Sequence, residues 1–226
     1  MDKLAVVVNT FEEENNPDFS DPLVNILKML DVDVIEIHGH YGENPLDYGA
    51  SHIFLSGTPT TSDFALSDWD TQTYIEGTYS WLSKCNQPVM GLCFGHQMIA
   101  QLFGGEVRAL TRMRMGHKNI RITQSEGIFK EIRELQGYIE HRDYVIPPKE
   151  FIDMARYNRV CHAMKHPKRD IYGLQFHPEL SGKIGEEIIK RFMDLPFEGQ
   201  GTTSYTLYTS DKNRQPSKEK IPVLEL

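Results

Sequence analysis

Residues 87–105 read QPVMGLCFGHQMIAQLFGG, and the fold turns on how this stretch is divided. Gln87 to Cys93 is apolar and bounded by polar residues, which suits a buried central strand. Beyond it, Met98, Ile99, Leu102 and Phe103 recur at helical spacing, and the pair Gly104-Gly105 closes that helix. Cys93 therefore stands where a strand ends and a helix begins. At such junctions, at the carboxyl ends of parallel strands, open α/β sheets bind their ligands.

Upstream, short β-branched runs alternate with helical stretches: LAVVV from Leu4 to Val8, then PLVNILKML, VDVIEI and HIFLSG. This alternation predicts parallel strands joined by crossover helices. Thr71 to Lys84 reads as a further helix. From Glu106 onward the texture changes to the strand-like runs HKNIRIT, FIDMARYN, VCHAMKH and IYGLQF, read as antiparallel strands added to the sheet, and KIGEEIIKRFMDL as the last helix. The expected fold is α/β: an open, mostly parallel sheet flanked by helices, with additional antiparallel strands. Residues 1–196 are read as one domain and 197–226 as a polar C-terminal extension with little core of its own. The acidic FEEENNPDFSD is read as an exposed loop, and no internal repeat is visible.

A chain of 226 residues with 39% hydrophobic composition can bury a substantial core. Its formal charge of −8 argues against general affinity for nucleic acid or an anionic membrane, both of which need clustered basic surface. No apolar run approaches the roughly 20 residues that span a bilayer. The start, MDKLAVVVN, lacks the pattern of a signal peptide, so a cytoplasmic location is expected. Cys85, Cys93 and Cys161 form an odd, widely spaced set, which suits reduced thiols rather than a disulfide framework.

Gly91-Leu92-Cys93-Phe94-Gly95 has the form G-x-C-x-G, the thiol counterpart of a nucleophile elbow. Glycines on both flanks relieve crowding at a sharp turn. The helix amino terminus supplies partial positive charge that favours thiolate. A buried, inert cysteine in a glycine-flanked turn is the plainer reading of those five residues. A second motif weighs against it: in Gln175-Phe176-His177-Pro178-Glu179, a histidine and a glutamate lie two residues apart at a strand end, and a general base needs an acceptor that orients it. Either motif alone is commonplace, whereas both together, in the order Cys then His-x-Glu, point to a nucleophile with its base.

GLCFGHQ followed by GLQFHPE resembles the class I, or triad, glutamine amidotransferases, a similarity that runs from about Leu4 to Leu195. AMKHPKRDIYGLQFHPEL and IEHRDYV are most similar to the glutaminase part of GMP synthases, particularly the separate-subunit form. The resemblance implies a flavodoxin-like sheet and a triad of Cys93, His177 and Glu179 that hydrolyses the side-chain amide of glutamine to glutamate and ammonia. It implies an oxyanion hole from the N–H groups of Gly57 and Phe94, and substrate contacts from Gln97 and from the backbone around Glu140 and His141. Thr58 departs from the family's L-S-G-G-P loop, where a second glycine stands, and threonine does not readily take positive φ.

Other candidates have plainer readings. His96 is expected to support the turn, Cys85 and Cys161 to pack passively, and His38-Gly39-His40 to be a surface loop, so neither metal nor cofactor is expected. Arg108, Arg112, Arg114, His117 and Lys118 form either a solvated face or a docking patch. No phosphate-binding loop of the G-x-x-x-x-G-K-[ST] type is present, so a synthetase partner would be a separate protein. Three functions remain open on the sequence: a glutaminase serving such a synthetase, a stand-alone γ-glutamyl hydrolase or peptidase, and an inactive amidotransferase-like regulatory protein. The substrate is glutamine or another γ-glutamyl compound, with no nucleic acid or membrane partner.

Overall fold

The structure, a computed structural model, describes residues 3–10, 20–58 and 75–197. Most of the acidic loop, the start of the expected Thr71–Lys84 helix and nearly all of the C-terminal extension lie outside the described residues. Among the described residues, no helix is long and apolar enough to cross a membrane.

Among the described residues, nine strands form one sheet: β1 (Leu4–Asn9), β2 (Asp33–His38), β3 (His52–Leu55), β4 (Val89–Leu92), β5 (Glu106–Ile122), β6 (Glu134–Ile146), β7 (Ile152–Tyr157), β8 (Val160–Lys165) and β9 (Ile171–Leu174). Their order across the sheet is β2-β1-β3-β4-β9-β8-β6-β5-β7, with β7 also pairing β8. Helices among the described residues include α1 (Asp21–Met29), α2 (Phe94–Leu102) and α3 (Gly182–Met193).

The two halves of this sheet are built differently. From β2 through β9 every pairing is parallel. Successive residues of the short strands enter opposite cores, as a period of two requires. Ala5 and Val7 join Phe54, Leu27 and Phe192 under α1 and α3, while Val6 and Val8 join Leu55, Met98 and Ile99 under α2. Burial on both faces is why β1, β3, β4 and β9 read as apolar runs, whereas the edge strand β2 carries Asp33, Glu36 and His38 on exposed positions. Phe192 of α3 is wedged among Phe54 at 5.0 Å, His52 at 5.4 Å and Tyr172 at 6.3 Å between ring centres, which fastens the last helix to the parallel half.

From β9 through β8, β6, β5 and β7 every pairing is antiparallel. The sheet is therefore not mostly parallel, and a flavodoxin-like description fits only one half of it. IYGLQF is also not an appended strand. As β9 it is the boundary, parallel to β4 on one side and antiparallel to β8 on the other. Its apolar run could not reveal this, because a strand buried on both faces looks the same in either setting. The Thr71–Lys84 stretch closes on a 3-10 turn at Ser80–Ser83 rather than as one continuous helix.

Candidate active site

β4 and β9 lie side by side in register, Leu92 opposite Leu174. Cys93 is the next residue along one strand and His177 the third beyond the pair on the other, so both emerge at the same carboxyl edge of the sheet. The Cys93 N–H donates to the Leu174 carbonyl at 2.7 Å, carrying the ladder one step into the turn. Cys93 then takes φ 48° and ψ −99°, a conformation that costs about 1–3 kcal/mol for a non-glycine residue. The flanking glycines make this bend possible. A Cβ on Gly91 would strike the Gly95 carbonyl, and one on Gly95 would lie 2.5 Å from the Leu55 carbonyl oxygen.

His177 is held by backbone before its side chain is considered. Its N–H donates to the Tyr138 carbonyl of β6 at 2.8 Å, and the Ser181 hydroxyl donates to the His177 carbonyl at 2.5 Å while accepting from the Tyr138 N–H at 3.0 Å. Pro178 cannot extend the strand, and Pro178–Leu180 turns as a 3-10 segment. This turn, rather than strand alternation, brings Glu179 back under the ring. Glu179 Oε1 accepts from His177 Nδ1 at 2.7 Å, and the two side chains are only 6% and 9% exposed. That bond fixes the tautomer and leaves Nε2 for the sulfur side. Burial alone would lower the His177 pKa. The Glu179 carboxylate and the hydrogen bond and charge of Cys93 outweigh it and hold the ring well above its ordinary value.

Gly57 lies at the end of β3 against both groups: a Cβ there would sit 3.3 Å from His177 Cε1 and 3.5 Å from Cys93 Cβ. Its carbonyl faces the other way, accepting from Thr10 Oγ1 at 3.1 Å and Ser56 Oγ at 3.0 Å. Thr10 further donates its N–H to Ser56 Oγ at 3.1 Å. This buried hydroxyl clamp sets the plane of the Gly57–Thr58 peptide. Thr58 is not among the residues of positive φ, so the loop takes a shape a threonine accepts. Phe94 opens α2, where main-chain N–H groups lack intrahelical acceptors.

Of the three residues expected to hold substrate, Glu140 comes nearest, its carbonyl accepting from the Cys93 thiol at 3.5 Å. Gln97 Nε2 donates to Gln175 Oε1 at 3.3 Å and to the Asp143 carbonyl at 3.4 Å. Gln175 in turn directs its Nε2 to Cys93 Sγ at 3.7 Å, a contact not expected from the sequence. His141 is one step further back, its Nδ1 bonded to the Asp143 carbonyl at 2.8 Å and its pKa pushed by burial to about 4. Gln175, Ser181, Tyr138 and Thr10 are site residues that sequence reading misses. Only Gln175 and Ser181 carry a signal, by lying two residues before His177 and two after Glu179.

The remaining candidates fall outside the chemistry. Burial pushes His96 to about 3, and its ring packs against Gly173, so it is neutral and turned from the cleft. Burial pushes the Cys85 thiol up to about 11 and the Cys161 thiol well above its ordinary value. Among the described residues, no three His, Cys, Asp or Glu side chains converge as a metal centre needs. The basic residues of β5 do not form one patch: Arg108 pairs with Glu106, Arg114 turns to within 6.0 Å of the Tyr157 ring, and His117 packs on Tyr138 at 5.4 Å.

A family model described as glutamine amidotransferase class I matches residues 19–195. The chain belongs to the class I glutamine amidotransferases. Among curated amidotransferases it is similar to a glutamine-hydrolyzing GMP synthase subunit of Methanococcus aeolicus, 36% identical over 46% of this chain and 58% of the relative. The corresponding protein of Pyrococcus abyssi is 35% identical over 64% of this chain and 75% of the relative. The first curated relatives are thus matched over about 58–60% of their length. A crystal structure named for a GMP synthase subunit of Thermoplasma acidophilum superposes with a TM-score of 0.71 at 25% identity, covering 85% of this chain and 94% of that one. A glutamine amidotransferase from Thermotoga maritima, at 19% identity and TM-score 0.64 over 86% of this chain and 84% of its own, shares the fold.

Proposed function

We propose that this amidotransferase is a glutaminase that releases ammonia from the side chain of glutamine for a separate synthetase of the GMP synthase type, which would aminate XMP. The observation that carries the reading is the buried Glu179–His177 pair at 2.7 Å, set beside a strained Cys93 at the carboxyl ends of β4 and β9.

In this reading, Cys93 Sγ attacks the γ-carboxamide carbon while His177 holds the thiol proton. The tetrahedral oxyanion is met by main-chain N–H groups of Gly57 and Phe94, each contributing up to a few kcal/mol of barrier lowering. His177 returns its proton to the departing nitrogen, the C–N bond breaks, and ammonia leaves a glutamyl thioester on Cys93. Water, deprotonated by His177, then cleaves the thioester, so one glutamine and one water yield glutamate and ammonia. Glu179 keeps the imidazole in one tautomer and stabilises its protonated form. Gln97 and the backbone around Glu140 and His141 are the groups assigned to holding the substrate.

The test is covalent. A glutamine-analogue diazoketone should label the wild-type protein on Cys93 and abolish glutaminase activity, and Cys93→Ala should be folded, unlabelled and inactive. Wild-type protein that resists the reagent, or labelling at Cys85 or Cys161 instead, would remove the basis for this function.

A further inference from the structure

The β5–β6 hairpin has a feature that glutamine hydrolysis does not use. Ladder pairing between the two strands slips from Ala109–Asp143 to Arg114–His141, so Leu110 to Met113 bulge opposite the single residue Arg142. Past the bulge, alternation sorts the side chains. Arg114 turns in with His141, whereas Met115 lies opposite Glu140 and His117 opposite Tyr138 on the outer face. Met113 and Met115 are 41% and 53% exposed, and Arg112 and Arg142 are exposed beside them.

This outer face is continuous with the catalytic cleft. His117 packs on the Tyr138 ring, and Tyr138 lies edge-on to His177 at 6.3 Å. Glu140, whose carboxylate accepts from the Tyr138 hydroxyl at 3.2 Å, offers its carbonyl to Cys93. The charges exposed beside the two methionines are those of Arg112 and Arg142, while the Glu140 carboxylate opposite Met115 is engaged by the Tyr138 hydroxyl. Exposed methionines provide deformable apolar contact, and arginines around them favour an acidic surface. Only Arg121 and Ile122 of β5 pair with β7, so the outer backbone edge of the strand is open along the bulge among the described residues.

Resting on the glutaminase reading above, we infer that the bulge and outer face around Arg112, Met113 and Met115 dock an acidic surface of the ammonia-consuming protein, covering the rim of the cleft. Docking there places the acceptor against Tyr138 and Glu140, the two residues that connect the hairpin to His177 and Cys93.

The test uses the full chain and the separate GMP synthase synthetase encoded by the same organism. Binding and glutamate release are measured with XMP, ATP and magnesium, at about 50 and 300 mM salt, across which surface charges are progressively screened. Arg112→Glu with Met115→Glu should weaken binding roughly tenfold or more and flatten its salt dependence. Arg112→Lys should keep both properties, and diazoketone labelling of Cys93 in the isolated variants should stay at the wild-type rate, which also reports an intact fold. The inference is overturned if the wild-type chain binds and is stimulated and the double variant behaves identically. If the wild-type chain neither binds nor is stimulated by the synthetase, the proposed partnership fails and takes the docking face with it.

Discussion

The parallel and antiparallel halves of the sheet divide the work. In the parallel half, β1, β3, β4 and β9, strands of four to six residues, are largely buried on both faces while the edge strand β2 is not, and what matters is where they end. In the antiparallel half, the long strands β5 and β6, of 17 and 13 residues, carry a wet face, and what matters is which side chains they bring alongside those ends. Cys93 and His177 come from two strands of the first kind. The carbonyl of Glu140, the anchoring bond from Tyr138 and the imidazole of His141, with that of His162 on β8 packed against it at 5.2 Å between ring centres, come from the second. The proposed nucleophile and base are thus fixed by strand termini, and their surroundings by register.

The largest effect should come from breaking the part that belongs to the strand end alone. Glu179→Gln keeps the shape but removes the charge that holds His177 above its ordinary pKa, so kcat should fall roughly 100- to 10,000-fold. The limb of the pH–rate profile assigned to His177 should move to lower pH. Unchanged turnover in steady-state assays would mean that the carboxylate does not orient the base.

The second test concerns the imidazoles at the boundary between the halves. Burial holds His96, His141 and His162 neutral, with pKa values near 3, 4 and 2 against an ordinary 6.5. Folded values below the unfolded ones mean stability that is complete above about pH 6.5 and lost as pH falls toward 4, by up to about 1.4 kcal/mol per pH unit for each group. His177 has the opposite sign, its contribution being complete below the ordinary value and fading as alkali deprotonates it through its raised folded pKa. Urea midpoints should therefore drop steadily from pH 7 to pH 5. A flat profile over that interval would count against a neutral cluster.

The smallest effect tests the stitch between the halves. Ser181→Ala leaves the Tyr138 N–H and the His177 carbonyl each without a hydroxyl partner, and kcat should fall roughly tenfold with KM little changed. Ser181→Thr retains the hydroxyl and should restore most of the rate. Equal losses in both variants would indicate a packing role instead.

The same division explains what is legible in advance. LAVVV, HIFL and PVMGL announce themselves because double-sided burial demands apolar runs, and the glycines around Cys93 announce the elbow because backbone would collide there with any Cβ. Nothing local distinguishes a parallel from an antiparallel neighbour, which is why sequence alone places β9 in the wrong group and overstates the parallel share of the sheet. The Thr10 clamp joins residues 46 or 47 positions apart, and the Gln175–Cys93 contact spans 82. Such contacts exist only once register is set. The basic run of β5 reads as one patch because a linear sequence hides alternation and the slip between Ala109 and Arg114.

Because Leu92 faces Leu174 and the proposed pair of Cys93 and His177 is counted from them, the distance between sulfur and imidazole is a matter of arithmetic along two strands. Inserting or deleting one residue between Val89 and Leu92, or between Ile171 and Phe176, would move one partner by about 3.3 Å and invert its facing. Length variation across descendants of this gene should accordingly collect in the connections and avoid these two short stretches, whatever substitutions they accept.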